Sequence, residues 1–211
     1  MLKKFGLIGD CNIFVVTNNV LTNIMNKIIA LGASNSRKSI NKDFAAWAAT
    51  QIGNAEIEVL DLNNFEMPIY GIDRETESGI PQLALDFKNK VKTADAIIIS
   101  YAEHNGSYSA AFKNIIDWVS RIEKGIWANK PALLLATSPG PRGAIGVLNA
   151  ATSAFPHHGG QLIGSFSLPS FYQNFKAGIL DESLATQFQN EISKLQQFLD
   201  EKTVEKTPVG V

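Results

Sequence analysis

Cysteine occurs once, at position 11, in a chain of 211 residues, so no intramolecular disulfide framework supports the fold. A lone thiol suits a reducing compartment, and a cytoplasmic location is expected from it. Charge of neither sign prevails: 19 Lys and Arg stand against 20 Asp and Glu, a formal net charge of −1. That balance removes the electrostatic case for binding nucleic acid or an anionic membrane. No run approaches the roughly 20 apolar residues of a membrane-spanning helix. Histidine is scarce as well, and the adjacent pair His157-His158 has no Cys or acidic cluster beside it. Loop histidines are the plainer reading there, and no metal is expected. The dinucleotide fingerprint G-x-G-x-x-G is missing.

What the chain does contain is a strand, a small-residue loop and a helix start. The apolar run Ile28-Ile29-Ala30-Leu31 ends at Gly32 and gives way to Ser34, Asn35, Ser36, Arg37, Lys38 and Ser39. A helical pattern follows, with Phe44, Ala45, Trp47 and Ala48 on one face. The first N–H groups of a helix lack intrahelical partners, and the helix dipole adds about half a positive charge there. With serine hydroxyls and the Asn41 amide nearby, this is a place for a phosphate. The plain alternative is a polar turn capped by Ser39, and taken alone the two readings weigh about equally. A nucleotide P-loop fits less well. Lys38 and Ser39 stand where G-x-x-x-x-G-K-[ST] needs them, but Arg37 occupies the second glycine position. The strand Ile97-Ile98-Ile99-Ser100 also ends without the aspartate that would help to hold Mg²⁺.

Along the rest of the chain, residues 55–62 alternate Glu56 and Glu58 with Ile57 and Val59, as a half-buried strand near a sheet edge does. Residues 63–81 read as a loop punctuated by Pro68, Gly71, Gly79 and Pro81, and Leu83, Phe87 and Val91 mark a short helix. Residues 96–100 and 131–137 are continuous apolar strands, joined by a helix that begins at Ala110. A Gly- and Ala-rich helix over 143–155, a strand over 162–166 and a final helix capped by Asp181 complete the pattern. Alternating strands and helices predict an α/β fold: a flavodoxin-like three-layer sandwich around a five-stranded parallel sheet of order 2-1-3-4-5. Ligands of such sheets bind beyond the carboxyl ends of the strands where the order reverses, and the loops after strands one, three and four converge there. Residues 1–24 read as a dispensable extension, because Met25-Asn26-Lys27 runs straight into the first strand.

Those three loops carry a resemblance. Residues 33–41 are similar to G-S-x-R-x-x-S-x-N. Glu103, Asn105, Gly106 and Ser107, with Lys113, Asn114, Asp117 and Trp118 downstream, are similar to P-E-Y-N-G-S followed by K-N-A-x-D-W. Ser138, Gly140 and Gly143 resemble S-x-G-x-x-G-G. Together they resemble the NAD(P)H-dependent FMN reductase family, which includes quinone-, azo- and chromate-reducing members, over residues 25 to about 199. The resemblance implies an FMN-binding domain over 25–211. It assigns Ser34, Ser36, Arg37, Ser39, Ile40 and Asn41 to the phosphate end of FMN. Ala102, Glu103, His104, Asn105 and Gly106 would run along the isoalloxazine ring, and Ser138, Gly140, Arg142 and Gly143 would meet its pyrimidine end. The chain departs from the pattern in three places: Ala33 replaces a glycine, Ala102 a proline and His104 a tyrosine. Ser36 occupies the arginine slot, with Arg37 one place later.

The implied activity passes two electrons from NADPH or NADH, through FMN, to a small acceptor such as a quinone, azo compound, chromate or free flavin. Flavin carries the redox chemistry, so no catalytic side chain is required, and His104 is expected to modulate rather than enable. Asp117 and Trp118 are read as packing or subunit contacts, and residues 171–175 as flanking the flavin or packing a loop. A homodimer or homotetramer is implied, and the apolar residues nearly all round the helix after Gly143 suit one. A non-enzymatic FMN carrier serving a protein partner is the alternative, which the near-neutral charge disfavours.

Overall fold

A computed structural model describes residues 25–206. The extension at 1–24 lies outside the described residues. The chain runs through β1 (Asn26–Ala33), α1 (Ile40–Ala49), β2 (Ala55–Leu60), a 3-10 turn (Leu62–Phe65), α2 (Ile72–Ser78), α3 (Gln82–Thr93) and β3 (Ala96–Tyr101). A small hairpin follows, β4 (Glu103–His104) with β5 (Ser107–Tyr108), then α4 (Ala110–Val119), β6 (Pro131–Thr137), α5 (Ile145–Ala154) and β7 (Gln161–Leu168). The chain closes with α6 (Phe171–Asn174), a second hairpin of β8 (Phe175–Lys176) and β9 (Ile179–Leu180), and α7 (Glu182–Lys206). Five strands form one parallel sheet in the order β2-β1-β3-β6-β7. With the hairpin strands left out of the numbering, this is the expected 2-1-3-4-5.

Strand position follows from composition. Every residue of β3 and of β6 is buried, as uniform apolar runs in the sheet interior must be. The alternating β2 lies at the edge, where Glu56 can reach solvent. The two-residue period of the inner strands then separates two cores. Ile29, Leu31, Ile97, Ile99 and Leu134 pack against α3, α4 and α5 on one face. On the other, Ile28, Ala30, Ile98, Leu133 and Leu135 pack against α1 and α7. Asp181 begins α7 as expected, its carboxylate accepting the Ser183 N–H at 3.0 Å.

The segment 63–81, read as loop, contains the 3-10 turn and α2. None of the residues of α2 is buried, so the helix has no apolar stripe for a periodicity argument to detect. Side chains from α4 hold the segment in place instead. Asn114 accepts the Tyr70 N–H at 2.8 Å and donates to Met67 O, and Trp118 Nε1 donates to Pro68 O at 2.7 Å. The helix expected over 143–155 starts at Ile145, because Gly143 and Ala144 both have positive φ.

Among the described residues Lys88 is the one charged side chain sealed in the core, 1% exposed. Its ammonium has three hydrogens and three acceptors: the carbonyls of Gly125 and Ile126 and the carboxylate of Glu123, 2.6 Å away. The arrangement fastens α3 to the irregular stretch leading to β6. Lys88→Ala strands two carbonyls, and denaturant unfolding should show a loss of about 3 kcal/mol.

Candidate functional site

The site is built where the N-terminus of α1 meets the carboxyl ends of β1, β3 and β6. Gly32 makes the approach: a Cβ there would lie 2.3 Å from the backbone nitrogen of Lys42. Asn41 then locks it. Its Oδ1 accepts from Ser100 Oγ at 2.7 Å and Thr137 N–H at 3.2 Å, while its Nδ2 donates to Thr137 O at 3.2 Å. Asn41 is 4% exposed, and its amide is directed into the sheet rather than the loop. The side-chain amide of Asn41 thus braces the sheet, and its backbone N–H stays at the start of α1. Ser109, which the sequence reading passed over, joins the second loop to the first by donating to Ala33 O at 2.9 Å. Its hydroxyl also caps α4 by accepting the Phe112 N–H.

The serine loop is held by its own hydroxyls. Ser34 Oγ accepts the N–H of Ser36, Ser36 Oγ that of Lys38, and Ser39 Oγ that of Lys42. Ser39 is thus the N-cap of α1, so the cap and the phosphate reading coexist on one residue. All three hydroxyls accept from the backbone, and each retains a hydrogen to donate. Ser39 occupies the amide hydrogens of Lys42 and Asp43, which leaves those of Ile40 and Asn41 at the open helix end. Arg37 and Lys38 are exposed and form no ion pair among the described residues. Hydroxyl donors, two amides and two unpaired cations are a donor set suited to a phosphate.

The second loop is tighter than an open loop. Asn105 (φ 51°) and Gly106 (φ 77°) form the two-residue turn of the β4–β5 hairpin, in which Glu103 pairs with Tyr108 and His104 with Ser107. An Asn-Gly pair between extended residues is the sequence signal that could have shown it. Ala102 is buried at its base, and His104, Asn105 and Gly106 form its exposed tip. Glu103 turns its carboxylate toward α5, with Oε1 3.0 Å from where a Cβ on Gly146 would lie. A carboxylate is favourable at that helix start.

The third loop is anchored from β7. Gly143 has φ 56°, and a Cβ on it would meet Ser167 Oγ at 2.5 Å and Pro169 N at 2.8 Å. Its missing side chain therefore serves packing. Ser167 Oγ donates to Gly143 O at 2.8 Å, and Ser170 N–H and Phe171 N–H donate to the carbonyls of Gly140 and Ser138. Phe171 is buried in the core and packs the loop, while Tyr172 is exposed beside it. Arg142 is exposed. Trp118 is a packing residue as expected, and Asp117 forms a 2.6 Å ion pair with Lys113 on α4. His158 borders a cavity beside α4 and α5 that Tyr108 also lines.

Sheet order, the reversal at β1 and β3, and the serine loop at a helix start together define a flavodoxin-like α/β protein. Residues 26–173 match the family described as NADPH-dependent FMN reductase, and the chain belongs to that family. The family uses FMN, with NAD(P)H as electron donor. An NADPH:quinone oxidoreductase of Arabidopsis thaliana is 35% identical over 85 residues, 40% of this chain and 42% of the relative. A quinone reductase of Escherichia coli (strain K12) is 31% identical over 105 residues, 49% of this chain and 56% of the relative. The chain thus spans about half the length of these curated relatives. FerB, a flavoenzyme NAD(P)H:(acceptor) oxidoreductase from Paracoccus denitrificans, has a similar solved structure, with a TM-score of 0.65 at 25% identity. That likeness covers 84% of this chain and 98% of FerB.

Lys42, in the first turn of α1, also reaches back to Asp61 after β2 at 2.6 Å. That hydrogen bond, then the Asn63 N–H, draws the Asp61 carboxyl from 3.8 to about 2. A depressed carboxyl contributes stability above its unfolded value and loses it as pH falls through the folded one. Both side chains are about a quarter to a third exposed, so the expected contribution is about 1 kcal/mol after solvent screening. Urea unfolding of wild type and Asp61→Asn should differ by that amount at neutral pH and converge as pH falls from about 4 to about 2.

Proposed function

We propose that the chain is an FMN-dependent NAD(P)H oxidoreductase that passes two electrons to a small acceptor, of which a quinone or an azo compound is the leading class. The observation that carries the reading is the meeting of the three family loops at the switch point of the sheet, with the donor set of the serine loop at its centre. Family membership and the quinone-reducing names of the relatives support the acceptor class. Bound FMN would supply the redox chemistry, so the protein's task is to anchor and orient.

In this proposal Ser34, Ser36, Ser39, Arg37 and the amides of Ile40 and Asn41 hold the phosphate. The backbone of Ala102, Glu103, Asn105 and Gly106 lies along the ring edge, and Ser138, Gly140, Arg142 and Gly143 border the pyrimidine end. His104, exposed at the hairpin tip, tunes access of the acceptor. A homodimer or homotetramer belongs to the proposal as well. Val147, Leu148 and Ala151 of α5 are spent on the chain's own core, and Ile145, 38% exposed, is the large apolar side chain that α5 leaves at the surface. Ile69 and Ile72 are exposed too, and light scattering at micromolar concentration reads out the assembly. A cytoplasmic location is supported by the lone cysteine and is checked by cell fractionation.

Because Ser39 and Asn41 also hold the fold together, the test uses exposed residues. Titration should show FMN binding more tightly than riboflavin, and Arg37→Ala with Lys38→Ala should weaken FMN roughly tenfold or more while leaving riboflavin unchanged. Equal affinities for the two flavins in the wild type would remove the phosphate assignment. In anaerobic rapid mixing, NADPH or NADH should bleach the flavin spectrum, and His104→Ala should alter the acceptor half-reaction by roughly tenfold while bleaching proceeds at a comparable rate. A spectrum that neither nicotinamide bleaches would leave the electron-carrier reading in its place.

A further inference from the structure

A second cavity lies on the α4–α5 side of the sheet, outside the serine loop and the loop after β6. It measures about 130 Å³. An engineered apolar cavity of about 150 Å³ accepts benzene, so this space is of the size of one six-membered ring. Phe112, Trp127 and Phe155 form its aromatic walls, with the Trp127 and Phe155 rings stacked at 5.0 Å.

At the end of β3, Tyr101 is 2% exposed and borders this cavity. No described residue hydrogen-bonds its hydroxyl, and burial together with the neighbouring Tyr108 pushes its ionisation well above the ordinary range. Among the described residues no fully enclosed side-chain polar atom lacks a partner. The Tyr101 hydroxyl therefore opens onto the cavity it borders. It is a neutral donor at the cavity wall with no acceptor among the described side chains, so an acceptor on a ligand in the cavity can take its hydrogen. Tyr108, with its ring centroid 5.7 Å from that of Tyr101, lines the same space. The rim carries no net charge. Lys113 and Asp117 neutralise one another there at 2.6 Å, and burial, with His157 and Lys113 nearby, lowers the His158 pKa so that its neutral form is favoured.

We infer that this cavity is a binding site for a neutral single-ring aromatic bearing a hydrogen-bond acceptor, such as a phenol. The ring enters the aromatic walls and its oxygen accepts from Tyr101. The site shares no residue with the phosphate loop, and it touches the second loop only at the base of its hairpin, through Tyr108.

Ligand-observed fluorine NMR on the full chain as purified tests it, with 4-fluorophenol and fluorobenzene as probes. Both should bind the wild type. Tyr101→Phe removes one oxygen, and it should weaken 4-fluorophenol roughly five- to tenfold while leaving fluorobenzene unchanged. Ala151→Val places two methyl groups in the cavity and should weaken both probes, with circular dichroism confirming the fold of each variant. The inference is overturned if 4-fluorophenol fails to bind at millimolar concentration, if added FMN displaces it, or if neither substitution changes its affinity.

Discussion

Nearly everything at the ligand end of this molecule depends on how the first helix is seated. Its opening turn presses onto β1 at a position where only glycine fits, and its buried asparagine spends its amide on two other strands. Those partners, Ser100 and Thr137, come 59 and 96 residues later in the chain. A buried amide that is only partly satisfied would be costly, so the helix end can take its place only once β3 and β6 are paired. The open N–H groups and hydroxyls of the serine loop inherit their directions from that seat. The loop is preorganised by the sheet, and each of its serines further fixes a backbone amide.

The other two loops follow the same logic with different parts. The hairpin after β3 is closed by an Asn-Gly turn and rooted by Ser109 on β1. The loop after β6 is clamped to the end of β7 through Ser167, Ser170 and Phe171. Farther out, Asn114 and Trp118 of α4 pair the backbone of a segment that has no sheet to join. Much of what makes the family pattern specific is therefore scaffolding. Asn41, Gly143, Asn114 and Trp118 keep loops in register, while the exposed Arg37, Lys38 and His104 are free to meet a ligand. A protein whose chemistry is borrowed from a bound cofactor needs that division, because positioning is what it must supply.

The two faces of the sheet have different roles as well. The α1–α7 face is closed by a dense aromatic cluster around Phe44, Trp47, Phe175 and Phe188. The opposite face leaves a ring-sized space between α4 and α5, with a tyrosine hydroxyl turned into it. Interiors are usually packed without such gaps, and those that persist beside a polar group are places where a small molecule can enter.

Read from sequence alone, the order of strands and helices, the parallel sheet, the edge position of β2 and the serine loop at a helix start were all accessible. Each depends on short-range patterns: two-residue and 3.6-residue periods, capping residues, and apolar runs of strand length. Three motifs in the right order added the family. The exposed helix α2 was not legible, because it buries no stripe, and the β4–β5 hairpin was taken for a loop although its Asn-Gly turn was visible. What only the tertiary structure decided is the direction of side chains whose partners are distant in the chain. Sequence placed Asn41 and Glu103 in the loops of the candidate site, without the direction of either side chain. The fold turned Asn41 into the sheet and set the carboxylate of Glu103 beside Gly146. Buried polar groups must be satisfied by whatever strand lies across from them, and no local pattern records which strand that is.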